Sequence, residues 1–166
     1  NKRARWMAVV TADAMAKTQP CWREKICVKN EVPYAGRGCC LKVMPKFHAT
    51  QDDLHNRAPI LKGVALAMNG LEYGPVPDGA PYLACCDLKI DKDRGVVDPG
   101  FRARGDVARI QLYLNLKYGL PLTAAERAMY VEWSVEDPVD AWEADRNFLI
   151  RNLQGYGNPF VESASE

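Results

Sequence analysis

Apolar residues recur at helical spacing in the second half of the chain and gather into short runs in the first. Ile60, Leu61, Val64, Ala65 and Met68 fall on one face of an α-helix. Pro59 suits the first position of that helix and Gly70 its stop, which puts Asn69 at the C-terminal end. Val107, Ile110, Leu114 and Tyr118 repeat the helical period until Gly119-Leu120-Pro121 closes it. Thr123-Ala-Ala-Glu126 reads as a capping box opening the next helix. Asp137-Pro138 reads as an N-cap followed by proline, with Val139, Trp142, Leu149 and Leu153 as the apolar face of a last helix before Gly155. Residues 5–12, Arg-Trp-Met-Ala-Val-Val-Thr-Ala, predict a short strand running into a helix over Asp13–Lys17. Leu83 to Asp91 predicts a second strand, and residues 71–82, with two Gly and three Pro, a loop. The fold class is therefore α+β, one domain over residues 1–166, with a basic half at 1–50 and a helical half at 100–155.

At 166 residues, 48% hydrophobic and 26% charged, the chain is neither a disordered tail nor a collagen-like repeat. No run approaches the 18 or so apolar residues of a membrane-spanning helix. A net charge of +1 conceals an asymmetry: ten Lys and Arg face three acids in residues 1–50, and twelve face eighteen thereafter. A basic half attracts a polyanion, although the same charges also suit a solvated surface. Six cysteines, Cys21, Cys27, Cys39, Cys40, Cys85 and Cys86, favour disulfides and an oxidising compartment. Zinc fits poorly, because paired C-x2-C units are missing and the chain has only His48 and His55. Fifteen pairings of six cysteines remain open. No signal-peptide pattern is visible and Asn1 opens the chain, as in a mature form, a trimmed one or a fragment.

Four stretches together resemble the bacterial endonuclease I family, secreted or periplasmic nucleases of the ββα-metal (His-Me finger) type. They are Asp53-Leu-His-Asn56 with Pro59; Met68-Asn69-Gly70; Arg102-Ala-Arg-Gly105 with Val107-Ala-Arg109 and Tyr113; and the run from Asp137 to Glu143 with Asp145, Arg146, Ile150, Gln154-Gly155 and Asn158-Pro-Phe-Val161. The resemblance implies a ββα-metal finger core, stapled by disulfides and followed by a helical C-terminal half. It implies a largely sequence-nonspecific endonuclease acting on DNA and on RNA, with Mg2+, or Mn2+ or Ca2+, as cofactor. In such proteins a strand supplies a carboxylate metal ligand and a histidine general base. The matching strand here is Trp6-Met7-Ala8-Val9-Val10-Thr11-Ala12, so Met7 stands at the ligand position and Ala8 at the base position. The family's second ligand, an Asn before Gly, maps to Asn69. Its phosphate-contacting Arg maps to Arg37 of Ala35-Gly36-Arg37-Gly38-Cys39. A family Glu aligns with Gln51, beside Asp52, and the segment after Asn69-Gly70 departs from the family pattern as Leu71-Glu72-Tyr73-Gly74.

Phosphodiester hydrolysis needs a proton acceptor for water and charge relief at the phosphorus. Alanine accepts no proton, and methionine's thioether is a poor partner for a hard cation. Loss of the base alone costs roughly 10²–10⁴-fold in rate. The chain as written is therefore expected to be nearly inactive, through an engineered Ala8, as a natural pseudonuclease that binds nucleic acid, or because the strand is matched out of register. In the last case only His48 and His55 remain as bases, His55 reading as structural and His48 as a loop residue. A further class is the nuclease domain of a secreted antibacterial toxin held by an inhibitor or immunity protein. Arg104 and Arg109 are candidate nucleic-acid contacts, with Glu143 and Asp145 as rival partners for them. Trp6, Trp133 and Trp142 read as core rather than base-stacking platforms. The family reading requires Ala8, Asn69 and Arg37 to converge.

Overall fold

The structure is a computed structural model that describes residues 4–78, 80, 82–83 and 86–163. Strand β1 (Ala4–Ala8) pairs antiparallel with β4 (Arg57–Leu61), Trp6 opposite Pro59 and Ala8 opposite Arg57. Helix α5 (Lys62–Ala67) follows β4 directly, completing a β–β–α unit. The apolar run from Pro59 is thus split between strand and helix. Pro59 does not start a helix; it sits in a two-stranded ribbon, where each strand has a free edge and a missing N–H is tolerated.

Between β1 and β4 lies a disulfide-stapled module. It contains α1 (Ala12–Ala16), α2 (Pro20–Arg23), the hairpin β2 (Cys27–Lys29) with β3 (Val32–Tyr34), α3 (Arg37–Val43), α4 (Pro45–Asp52) and a 3-10 turn over Leu54–Asn56. The bridges are Cys21–Cys40 and Cys27–Cys39, and together with Ala16 and Phe47 they form the module's core. Cys85, one of the six cysteines, lies outside the described residues.

A four-stranded sheet follows in the order β5 (Glu72–Tyr73), β8 (Val96–Asp98), β7 (Leu88–Asp91), β6 (Tyr82–Leu83), with β5 parallel to β8 and the other pairs antiparallel. Residues 71–82 are therefore more than a loop. Gly74 permits the β5–β8 approach, since a Cβ there would stand 2.9 Å from Val96 Cγ1. The strand expected over Leu83–Asp91 is shared between β6 and β7.

Four helices complete the fold: α6 (Phe101–Tyr118), α7 (Ala124–Glu136), α8 (Ala141–Gln154) and α9 (Pro159–Glu162). Thr123 and Glu126 form the expected capping box, and Gly119 and Gly155 end α6 and α8 in the left-handed conformation. Val9 and Val10 pack with Val107, Ile110, Leu114, Tyr130 and Trp133, which joins the end of β1 to α6 and α7.

Two expectations for α8 fail. Its N-cap is Asp140, whose side chain accepts from the Glu143 N–H, while Asp137 closes α7 and accepts from the Gly105 N–H at 2.9 Å. Gly105 is obligatory there, because a Cβ would collide with the Asp137 carbonyl oxygen. The apolar stripe of α8 faces outward: Leu149 and Leu153 are exposed, as is Trp142, and Trp6 is 62% exposed. The face turned inward carries Glu143, Asn147 and Ile150, because buried polar partners on α6 and α9 bind it. Trp6 and Trp142 are thus surface residues, and Trp133 is core.

Candidate active site

The β1–β4 ribbon ends at Ala8, and α5 returns the chain to the same end. Met68 caps α5; Asn69 comes next, and Gly70, at φ +79°, turns the chain toward β5. Met7, Ala8 and Asn69 consequently line one pocket of about 110 Å³, whose walls also include Thr11, Asp13, Lys17, Glu72 and Tyr73. Arg37 is not among the lining residues. It opens α3 in the stapled module, exposed to solvent after Gly36 at φ +87°. The structure brings three of the four motif-matched positions together and leaves the arginine elsewhere.

The pocket's charge comes from residues that carry no motif. Lys17 Nζ lies 2.7 Å from Glu72 Oε1, across from α1 to β5. The hydrogen bond to Glu72, reinforced by its charge, raises the lysine's pKa. Burial pushes the Tyr73 phenol up to about 12, and its hydroxyl donates to the Val9 carbonyl oxygen at 3.4 Å, so Tyr73 is neutral at physiological pH. Lys17 and Glu72 are 55 residues apart in sequence, and no periodicity or spacing links them. The only signal for Glu72 was that Leu71-Glu72-Tyr73-Gly74 breaks the family pattern.

Neither histidine reaches this pocket. His48 is exposed on α4 with Nδ1 3.2 Å from Asp52 Oδ2. His55 is buried against the Tyr113 ring, its Nε2 3.3 Å from the Tyr156 carbonyl oxygen, and burial lowers its pKa. Gln51 is also buried, donating to Met15 Sδ at 3.1 Å. Neither Gln51 nor Asp52 lines the pocket.

The donors at the motif positions, Met7 and Asn69, do not fit a Mg2+ site of the family kind, and the lining's two carboxylates, Asp13 and Glu72, come from positions outside the motif. Mg2+ is ordinarily held through one or two carboxylates together with waters. Position 7 offers a thioether and Asn69 one neutral oxygen. The Glu72 carboxylate on the same wall is occupied by Lys17. Among the described residues no group of three His, Cys, Asp or Glu side chains is placed to hold a metal ion.

The remaining motif residues hold the scaffold. Asp53, buried, accepts from the Tyr113 and Tyr118 hydroxyls, both at 2.6 Å, and from Gln154 at 3.0 Å. Burial alone would raise its pKa, but these hydrogen bonds and the His55 N–H outweigh it and hold the carboxyl below its ordinary range. Arg146 donates to the carbonyl oxygens of Leu54, His55 and Arg57, clamping α8 onto the turn before β4. Arg109 is corrected as a nucleic-acid contact. It is 2% exposed, with Nε 2.8 Å from Glu143 Oε1 and Nη1 2.8 Å from the Asp137 carbonyl oxygen, so no phosphate reaches it. Arg104 donates to Asp98 at 3.0 and 2.5 Å and to Glu136 at 3.3 Å, with its guanidinium over Trp133. The hydrogen bonds to Asp98 raise its pKa and commit it to the protein. Asp145, weighed as an arginine partner, makes no ion pair among the described residues, and Glu143 takes Arg109.

Residues 43–165 match the family model described as Endonuclease I. That match begins beyond β1, so Met7 and Ala8 lie outside it. Endonuclease-1 of Buchnera aphidicola subsp. Acyrthosiphon pisum (strain APS) is 33% identical over 159 residues, covering 96% of this chain and 59% of the relative. An extracellular deoxyribonuclease of Aeromonas hydrophila is 32% identical over 161 residues, covering 96% and 65%. A periplasmic deoxyribonuclease of the same species is 31% identical over 161 residues, covering 96% and 63%. The chain spans about three fifths of the length of these curated relatives. With the model matched over most of the sequence and the relatives aligned across nearly all of it, the chain belongs to the endonuclease I family.

Proposed function

We propose that this protein is a nucleic-acid-binding member of its family in which the hydrolytic step has been disabled at β1. The observation that carries the reading is the shared pocket of Met7, Ala8 and Asn69. It gathers the positions that the resemblance assigns to a phosphodiester site and lacks, at position 8, any atom able to take a proton from water. Arg37, exposed and without an acidic partner among the described residues, does not line that pocket, so the expected convergence holds for Ala8 and Asn69 alone and no role at the pocket is assigned to Arg37. Mg2+, which the resemblance implies, finds no adequate donor set at positions 7 and 69, so no step is assigned to it.

Relatives named deoxyribonuclease support DNA as the ligand. Their extracellular and periplasmic names, with two disulfides in this chain, support a location outside the reducing cytoplasm. No helix among the described residues is long and apolar enough to cross a membrane. The decisive measurement pairs binding with cleavage. The unaltered protein is expected to shift a labelled DNA duplex and to leave supercoiled plasmid uncut in Mg2+. Rapid nicking by the purified, unaltered chain would sink the disabled-site reading. Failure to bind DNA at low salt would sink the nucleic-acid reading itself.

A further inference from the structure

We infer that Lys17 is a phosphate-binding residue of this pocket and that Glu72 occupies its ammonium as an internal anionic competitor when no nucleic acid is present. The inference rests on the nucleic-acid reading above and deepens it. Of the described residues lining the pocket, Lys17 is the one that carries a positive charge. Asp13 and Glu72 are acidic and Tyr73 is neutral. A phosphodiester brought to Ala8 and Asn69 therefore has one cation to meet, and two carboxylates to avoid.

The lysine is built to move at its tip and stay fixed at its base. It caps α1, its backbone N–H donates to the Asp13 carbonyl oxygen, and its own carbonyl oxygen accepts from Arg23 Nε at 2.7 Å. The side chain is 48% exposed, so the four-carbon stem is free to swing. Glu72 is anchored likewise through its backbone, its N–H donating to the Gly95 carbonyl oxygen at 2.9 Å. Its side chain is 67% exposed, and among the described residues its carboxylate is hydrogen-bonded to Lys17 alone. A carboxylate offers two oxygens on one centre, as a phosphodiester does, and an ammonium that holds one geometry accepts the other. Exposed ion pairs contribute little net stability, so a phosphate can replace Glu72 at small cost.

The two residues are thus predicted to act with opposite sign, and by more than the same charge changes make outside the pocket. The test measures binding of a short labelled DNA duplex to the full chain by fluorescence anisotropy, in chelator, across a salt series. Lys17→Met is expected to weaken binding about threefold to tenfold and to lower the slope of log K against log salt by about one. Glu72→Gln is expected to strengthen binding about twofold to fivefold, because the competitor is neutralised. Lys29→Met, the same charge loss in the β2–β3 hairpin and outside the pocket lining, controls for net charge and leaves the slope nearly unchanged. Circular dichroism melts verify that each variant is folded. Binding unchanged by Lys17→Met, or weakened by both pocket variants alike, overturns this inference while the nucleic-acid reading stands. No binding by the unaltered protein overturns both.

Discussion

Asn56 and Val10 are joined twice through one side chain: the Val10 N–H donates to Asn56 Oδ1 at 2.8 Å, and Asn56 Nδ2 donates to the Val10 carbonyl oxygen at 3.0 Å. With the Val9 N–H on the Asn56 carbonyl oxygen at 3.0 Å, this carries the β1–β4 ladder two residues past Ala8. The amide side chain does there what a further strand residue would do. It fixes the direction in which β1 leaves the pocket and enters α1. Removing it strands one donor and one acceptor in the interior, each costing about 1–3 kcal/mol. Asn56→Ala is therefore expected to lower stability by roughly 2–6 kcal/mol. Asn56→Asp is expected to lose the donated bond while keeping an acceptor for the Val10 N–H. Urea titrations decide: a change below about 1 kcal/mol for Asn56→Ala would show that the ladder does not depend on this amide.

Arg109 and Glu143 supply a second internal anchor. Both are almost fully buried, and Arg109 Nη2 lies 2.6 Å from Glu143 Oε2. Removing one partner of such a pair leaves a charge that water cannot reach. Arg109→Met is expected to cost roughly 3–5 kcal/mol, seen as a fall in Tm of about 6–20 °C. The salt dependence of DNA binding is expected to be unchanged, since the residue has no exposed face. A variant with a normal Tm and a shallower salt slope would return Arg109 to the phosphate-contacting surface.

Asp106 makes stability depend on pH in an unusual direction. Burial, reinforced by the neighbouring Glu143 carboxylate, pushes its pKa up to about 7 from an ordinary value of 3.8. Arg109, with Nη2 3.5 Å away, opposes the shift without cancelling it. The folded state thus holds a proton at Asp106 that the unfolded chain has released. By linkage, the favourable contribution is complete below about pH 3.8 and is lost as pH rises through about 7. His55 works oppositely: its lowered pKa makes folding less favourable as pH falls below its ordinary value of 6.5. Comparing Asp106→Asn with the unaltered protein isolates the first effect. The variant is expected to gain Tm relative to the parent as pH goes from 5 to 8, because it has no proton to lose. A constant difference in Tm across that range would show that Asp106 titrates normally.

The legible parts of this fold were those set by local chemistry. Thr123 and Glu126, Gly119 and Gly155 each act on their own helix end, and the chain announces them. Pro59 misled because the same residue suits a helix start and a strand edge, and only the partner Trp6, 53 positions earlier, decides between them. The α8 stripe misled for a different reason. Burial of its opposite face is driven by Glu143 and Asn147, whose partners are Arg109 on α6 and Asn158 at the N-cap of α9, and amphipathic patterning counts such residues as outward-facing. At the pocket, Met7, Ala8 and Asn69 were readable through family motifs. Lys17 and Glu72 were not, since an ion pair across 55 residues leaves no trace in spacing.

Positions 7 and 8 give the sharpest remaining prediction, because the proposed reading assigns them two functions that hydrolysis requires and that methionine and alanine do not supply. Ala8→His restores a proton acceptor with no ion to act beside it. Met7→Glu restores a hard carboxylate next to Asn69 with no base. Each alone is expected to leave plasmid nicking close to the level of the unaltered chain, while Met7→Glu alone is expected to create Mn2+ binding measurable by calorimetry. The double substitution is expected to raise nicking by at least about 10²-fold, more than the product of the single effects, as residues that act as a unit do. Full recovery by Ala8→His alone would mean that Met7 never stood at a ligand position and that the ion is held elsewhere. Mn2+ binding by the double variant without nicking would mark a natural pseudonuclease whose losses extend beyond β1. No Mn2+ binding by either Met7→Glu protein would mean that β1 has been matched out of register.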